Sequence, residues 1–216
     1  MSLARLLQLA SPALPVGAYS YSGGLEAAIE AGIVKDAASA ERWIGDVLEL
    51  SVVKMEAPML SGFMSCISKD DSAEFGNLNS QFLASRETAE LRAETVQMGY
   101  SLARLLKDLG EGAVPLEEPS FPAAFAYAAA RWKIEPDTAL QGYLWAWVEN
   151  QVMAAVKAVP LGQTAGQRML LGLGSSLETF VENARKMKEE ELGNFAPGLA
   201  MLSARHETQY SRLFRS

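Results

Sequence analysis

Apolar residues recur at helical spacing along most of the chain, most clearly between Pro136 and Gly162. On one face of this stretch, apolar side chains fall at i, i+4, i+7 and i+8, namely at Leu140, Leu144, Trp147 and Val148. Pro136 suits the first position of a helix, and Pro160 with Gly162 ends the pattern. Further apolar residues cover much of the remaining circumference, so the pattern predicts a central, mostly buried helix with Trp147 in the core.

The same period predicts the other elements. Helices are expected over residues 3–9 and 24–32, from an Asp36 or Ser39 cap as far as Gly62 with a kink or end at Pro58, and over 80–109, 122–132 and 163–181. The polar stretch 69–79 is expected to be a connection. No convincing period-two alternation indicates a strand. The prediction is an all-α, single-domain bundle of about eight to ten helices.

Composition narrows the possible functions. The formal net charge of −7 argues against a general nucleic-acid binder, because little offsets phosphate repulsion. Cys66 is the one cysteine, so no intrachain disulfide can form, which is consistent with a reducing cytosol. We find no signal-peptide pattern and no uncharged apolar run of about 18 residues. We therefore expect a cytoplasmic protein without a membrane association.

The sequence lacks the common catalytic motifs. There is no GxxxxGK[ST] loop for nucleotide phosphates, and the only histidine is His206, whereas a carboxylate-bridged di-metal bundle needs two. A nucleophile, a base and an oxyanion donor cannot be assembled from spacing. The predictions are no catalytic residue, no metal site on this chain, no tightly bound cofactor and a non-enzymatic role.

Two stretches have the composition of recognition surfaces. Tyr19 and Tyr21 lie in a proline-, serine- and glycine-rich loop, which is either a binding loop or simply a packed turn. Residues 205–216, RHETQYSRLFRS, mix arginine with aromatic side chains, as protein–protein hot spots do. We expect this segment to become ordered on a partner. The predicted division is a helical domain over 1–204 and a C-terminal docking tail over 205–216.

Four stretches carry a resemblance to a known family. LASPALPVGAYSYSGGLE (9–26), SRETAELRAE (85–94), VKAVPLGQ (156–163) and SARHETQYSRLFRS (203–216) resemble motifs of the urease accessory protein UreF family. The resemblance extends over essentially the whole chain. The long C-terminal motif is its most specific part.

The resemblance implies an all-helical, often dimeric protein that assists nickel insertion into apo-urease. It implies three partners: the scaffold protein UreD (also called UreH), the GTPase UreG and the urease apoprotein. Ni²⁺ would be handled by the complex. Carried onto this chain, it assigns partner contact at the C-terminal end to Arg205, His206, Glu207, Tyr210, Arg212, Phe214 and Arg215. Further candidate surfaces are Pro15, Tyr19, Ser20, Ser22 and Glu26 in the loop, and Lys157 with Gln163.

Two other functions remain open from the sequence. One is a GTPase-activating regulator of UreG, because an arginine supplied in trans accelerates GTP hydrolysis by roughly 10³–10⁵-fold. The other is a helical enzyme with its own small-molecule pocket, which the missing motifs argue against.

Overall fold

The structure, a computed structural model, describes residues 3–187 and 189–216. Met1, Ser2 and Lys188, which fall within the predicted 1–204 domain, lie outside the described residues. The α-helices are α1 (Leu3–Leu9), α2 (Leu25–Glu30), α3 (Ala37–Val47), α4 (Ala57–Ser68), α5 (Ser72–Ala84), α6 (Ala89–Asp108), α7 (Phe121–Arg131), α8 (Pro136–Ala158), α9 (Gln163–Gly174), α10 (Leu177–Lys186) and α11 (Pro197–His206). Short 3₁₀ turns occupy Ala18–Ser20 and Glu189–Glu191. The described residues contain no strand, so the predicted all-α single-domain bundle is confirmed.

Helix α8 is the central element of the bundle. It packs against α1, α2, α3, α4, α7, α9 and α10. Leu140, Leu144 and Val148 are buried, as their spacing predicts. Trp147, by contrast, is only partly buried, because it lies at the edge of a smaller cluster with Val47 and α11. Trp147 also packs against the main core, so its prediction as a core residue is met only in part.

A π-helical segment, Leu48–Glu56, joins α3 to α4 in one continuous rod. The side chain of Asp36 caps the start of this rod by accepting from the Ser39 amide at 2.8 Å. Pro58 lies in the first turn of α4 and has no N–H to donate to the preceding turn. One carbonyl of that turn, Lys54 O, instead accepts from the amide of Gly193 at 3.3 Å. The helix therefore passes the proline without ending.

Several helix boundaries differ from the predictions. Helix α4 continues to Ser68, past the expected end at Gly62, and the expected helix over 80–109 is interrupted at residues 85–88, between α5 and α6. The expected connection over 69–79 is largely helix α5, capped by the Asp71 side chain, which accepts from the Glu74 amide at 3.0 Å. Most residues of this stretch are polar, but the helix also has an apolar face. On that face Phe75 packs edge-on against Phe63, with ring centroids 5.2 Å apart. The expected helix over 163–181 is instead divided at Ser175 into α9 and α10.

Candidate partner-binding site

The aromatic loop, residues 15–26, has a fixed backbone conformation. Its 3₁₀ turn follows Gly17, which has a φ of +80°, and α2 follows Gly24, which has a φ of +79°. Both values lie in the left-handed region that favours glycine. A Cβ on Gly24 would also lie 2.8 Å from Leu199 Cδ1, so the glycine lets α11 approach the start of α2.

The C-terminal segment, residues 205–216, lies along the aromatic loop of its own chain. The amide of Arg215 donates to Ser20 O at 2.8 Å, and the amide of Ser22 donates to Ser216 O at 3.0 Å. The hydroxyl of Ser22 also donates to Ser216 O. We expected this segment to become ordered on a partner, but in the structure the chain's own backbone and side chains already hold it. Its separation from residues 1–204 as a docking element stays a prediction.

Glu26 anchors the C-terminal segment through its carboxylate. Oε1 accepts from the amide of Leu213 at 2.7 Å, and Oε2 accepts from the amide of Phe214 at 2.8 Å. Glu26 itself lies in the first turn of α2, where the helix dipole favours a negative charge. The start of α2 and the C-terminal segment therefore form one site.

His206 ends α11 and lies between two carboxylates. Its Nδ1 is 2.7 Å from Glu90 Oε2 on α6, and its Nε2 is 3.2 Å from Glu26 Oε2 on α2. Arg212 pairs with the other oxygen of Glu90 at 2.8 Å. The His206 side chain is completely buried, while that of Arg212 is 39% exposed. Arg86, four residues before Glu90 in the sequence, precedes α6 and pairs with Glu56 instead.

The side chains of the site divide into an inner and an outer set. Phe214 is buried, and Lys157 Nζ lies 5.1 Å from the centroid of its ring. The same Nζ lies 6.0 Å from the ring of Tyr19. Tyr19 is 69% exposed, Leu213 is 60% exposed and Tyr210 is fully exposed. The inner residues hold the segment in place and the outer ones face away from the protein.

The remaining predicted site residues occupy the rim. Pro15, Arg205, Glu207 and Arg215 are exposed, and Ser20 is half-buried. Glu207 accepts from the Ala89 amide at 2.9 Å, which ties the segment to the start of α6. Gln163 is exposed at the first position of α9 and takes part in none of the contacts described above. Partner contact by any of these residues stays a prediction.

A cavity of about 340 Å³ opens beneath the aromatic loop. Most of its wall is apolar, and its polar lining includes Glu56, Arg86, Glu94 and Tyr143. The guanidinium of Arg86 pairs with Glu56 Oε1 at 3.0 Å, and the hydroxyl of Tyr143 donates to Glu56 Oε2. The sequence analysis did not predict that Glu56 and Arg86 would be buried together. The position of Glu94 could have been inferred from the sequence, because it shares a helix face with Leu91 and Met98. All three residues line the cavity.

Glu94 connects this cavity to the C-terminal segment. Its Oε2 accepts from the Ser216 hydroxyl at 2.8 Å. Burial in the bundle raises the pKa of the Glu94 carboxyl from 4.5 to about 7. The Ser216 hydrogen bond acts in the opposite direction, and the negative charge of Glu56 adds to the rise.

Three further properties of the described residues concern metal binding, thiol reactivity and membrane spanning. Across residues 3–187 and 189–216, no group of three or more histidine, cysteine, aspartate and glutamate side chains is placed to hold a metal ion. Cys66 is buried, and burial raises the pKa of its thiol, which disfavours the reactive thiolate. None of the helices in the described part of the chain combines the length and apolar character that a membrane span requires.

A protein-family model described as UreF matches residues 34–174. The chain belongs to the UreF family. The urease accessory protein UreF of Azoarcus sp. (strain BH72) is 60% identical, with 100% of this chain and 96% of that protein aligned. The UreF protein of Dechloromonas aromatica (strain RCB) is 53% identical over 100% of this chain and 98% of that protein. A urease accessory protein UreF 2 of Brucella anthropi is 46% identical over the whole chain. The resemblance seen in the sequence motifs is thereby confirmed.

Proposed function

We propose that this UreF-family protein is a non-enzymatic component of the cytoplasmic machinery that inserts nickel into urease. It acts as a homodimer and bridges the UreD/UreH scaffold and the GTPase UreG while the complex acts on the urease apoprotein. Ni²⁺ is the cargo of that complex, and this chain binds no cofactor tightly. Membership of the family and the names of its relatives, which are urease accessory proteins, support this role.

The observation that carries the proposal is an exposed set of anchors on a fixed backbone. The docking patch consists of Tyr19, Tyr210 and Leu213, all of them exposed. Hydrogen bonds to Glu26 and Ser20 hold the backbone of Leu213 and Arg215 in place. Aromatic anchors on a preorganised segment lose little conformational entropy on binding, which favours a protein partner.

Single substitutions on the docking patch test the proposal without disturbing the packing. We expect Tyr210→Ala or Leu213→Ala to weaken binding of the scaffold protein at least about tenfold, since anchors of this kind contribute about 2 kcal/mol or more. Leu171→Ala is a matched control, because Leu171 is 77% exposed on α9. Binding can be measured by calorimetry with the purified scaffold. Equal affinity of Tyr210→Ala, Leu213→Ala and wild type would refute the docking patch.

Truncation after Ala204 is a weaker test than these substitutions. It would remove His206 and Phe214, which are buried, and would leave the carboxylates of Glu26 and Glu90 without these partners. A loss of binding by the truncated chain could therefore reflect lost packing. The point variants distinguish a lost partner contact from a loss of folding, because the side chains that they replace are exposed.

The GTPase-regulator alternative requires an arginine whose side chain can reach the nucleotide bound to UreG. Arg212 is paired with Glu90 at 2.8 Å, but Arg205 and Arg215 in the same segment are exposed. As a bridging component, the protein is expected to leave the chemical step of GTP hydrolysis by UreG unchanged. Single-turnover GTP hydrolysis with and without the full chain measures this, and an acceleration of about 10³-fold would favour the regulator instead.

A further inference from the structure

His206 and the three charged side chains around it form a nearly closed set. Glu26 on α2 and Glu90 on α6 supply two carboxylates, and Arg212 supplies one cation. Each glutamate side chain is 12% exposed and the histidine side chain is completely buried. With a protonated ring the two positive and two negative charges balance.

The hydrogen-bond geometry around the ring depends on its protonation state. Both ring nitrogens face carboxylate oxygens, at 2.7 Å and 3.2 Å. An imidazolium ring donates from both nitrogens, whereas a neutral ring donates from only one. In the neutral ring the other nitrogen would direct a lone pair at a carboxylate oxygen, which is repulsive. With both carboxylates ionised, the geometry is therefore satisfied by the charged ring.

The same two carboxylates hold the C-terminal segment. Glu26 accepts the amides of Leu213 and Phe214, and Glu90 accepts the guanidinium of Arg212. Loss of the ring proton would leave two nearly buried carboxylates facing a single arginine. Uncompensated buried charge is costly, so Glu26 or Glu90 would move toward water and carry the segment with it.

We propose that His206 is a protonation-dependent latch, which holds the C-terminal segment on α2 and α6 as imidazolium and releases it as the neutral ring. The latch is a property of the chain alone and goes beyond the proposed partner binding. It makes the presentation of residues 207–216 sensitive to pH.

The single histidine makes a direct test possible. The ring ¹⁵N and ¹H resonances of the full-length protein belong to His206 alone, so their shifts report its protonation without assignment ambiguity. Hydrogen-exchange protection of the Leu213 and Phe214 amides, corrected for the intrinsic rate at each pH, reports the segment. We expect both readouts to change at the same pH, with protection falling roughly ten- to a hundredfold as the ring loses its proton.

Two glutamate variants provide the comparison. Glu90→Gln removes one of the two carboxylates that face the ring, so segment protection should fall at a lower pH than in wild type. Glu30→Gln is the control for the loss of one negative charge: it removes an exposed carboxylate from α2 that does not face the ring. It should behave as wild type.

Three results would overturn the latch. One is a ring that stays neutral from about pH 5 to 9. The second is a ring that titrates while protection of Leu213 and Phe214 stays constant. The third is an equal shift of the transition in Glu30→Gln and Glu90→Gln. The wild-type titration decides the first two, so the proposal remains testable even if Glu90→Gln fails to fold.

Discussion

The Ser216 hydroxyl donates a 2.8 Å hydrogen bond to the carboxylate of Glu94, inside the bundle and at the wall of the cavity. This contact joins the C-terminal segment to α6 across 122 residues of sequence. The segment is therefore attached at two levels: Glu94 holds its end, and Glu26 with Glu90 holds its middle. Perturbing any of these carboxylates is expected to change how the segment is presented.

The raised pKa of Glu94 predicts a specific pH dependence of stability. Its pKa is about 7 in the folded protein against 4.5 as the ordinary value. The folded state therefore holds the proton more tightly, and this contribution is complete below about pH 4.5 and lost as the pH rises through about 7. Glu94→Gln removes this dependence. We expect the variant to gain roughly 1–3 kcal/mol over wild type on going from pH 4.5 to pH 8.

Urea unfolding of wild type and Glu94→Gln at both pH values measures this difference. Glu117→Gln, at an exposed position, is the control and should show no such gain. A parallel pH dependence in wild type and Glu94→Gln would show that Glu94 is not the titrating group. Glutamine can still accept from the Ser216 hydroxyl, so the variant removes the titration of residue 94 while keeping this hydrogen bond.

Helical periodicity was enough to predict much of the fold but not the long-range contacts of the site. The central helix follows directly from the spacing of Leu140, Leu144 and Val148. Helix α5 was missed because its exposed face is polar and only Phe75, Phe82 and Leu83 mark the buried one. A short amphipathic helix with so few core residues resembles a polar connection in sequence.

The candidate site was only partly predictable, for a different physical reason. Composition led us to predict recognition chemistry at Tyr19 and in the arginine–aromatic segment. It could not reveal that Glu26 accepts the amide of Phe214, because such a contact depends on the fold bringing residues 188 positions apart together. Nor could it distinguish the buried Phe214 from the exposed Tyr210, since both are aromatic residues in one segment.

Asn79 offers a second test, of a buried polar bridge. Its Nδ2 donates to Glu118 O at 2.9 Å, and its Oδ1 accepts from the Ser120 amide at 2.9 Å, so α5 holds the loop that leads into α7. Asn79→Ala should cost about 2–4 kcal/mol in the free energy of unfolding, because both backbone groups lose their partner. Thermal and urea unfolding measure the loss.

Asn77→Ala is the matched control for that bridge. Asn77 lies on the same helix but is exposed, and its amide bonds only to the Glu74 side chain, at 3.2 Å. Its replacement should change stability by no more than about 0.5 kcal/mol. If the two alanine variants were equally stable, the buried bridge would contribute nothing measurable.

Two helical glycines give opposite expectations for the same substitution. At Gly99 on α6, a Cβ would lie 2.0 Å from Pro119 O, a backbone atom that cannot move aside without shifting the loop before α7. Gly99→Ala should therefore destabilise the protein by about 3 kcal/mol or more, or prevent folding. At Gly76 on α5, no atom lies within 4 Å of the added Cβ, so Gly76→Ala should stabilise the protein by about 0.5–1 kcal/mol through helix propensity. Urea unfolding of the two variants compares the effect of close packing at Gly99 with that of helix propensity at Gly76, because the chemical change is the same. A Gly99→Ala variant as stable as Gly76→Ala would mean that α6 does not approach Pro119 as closely as described.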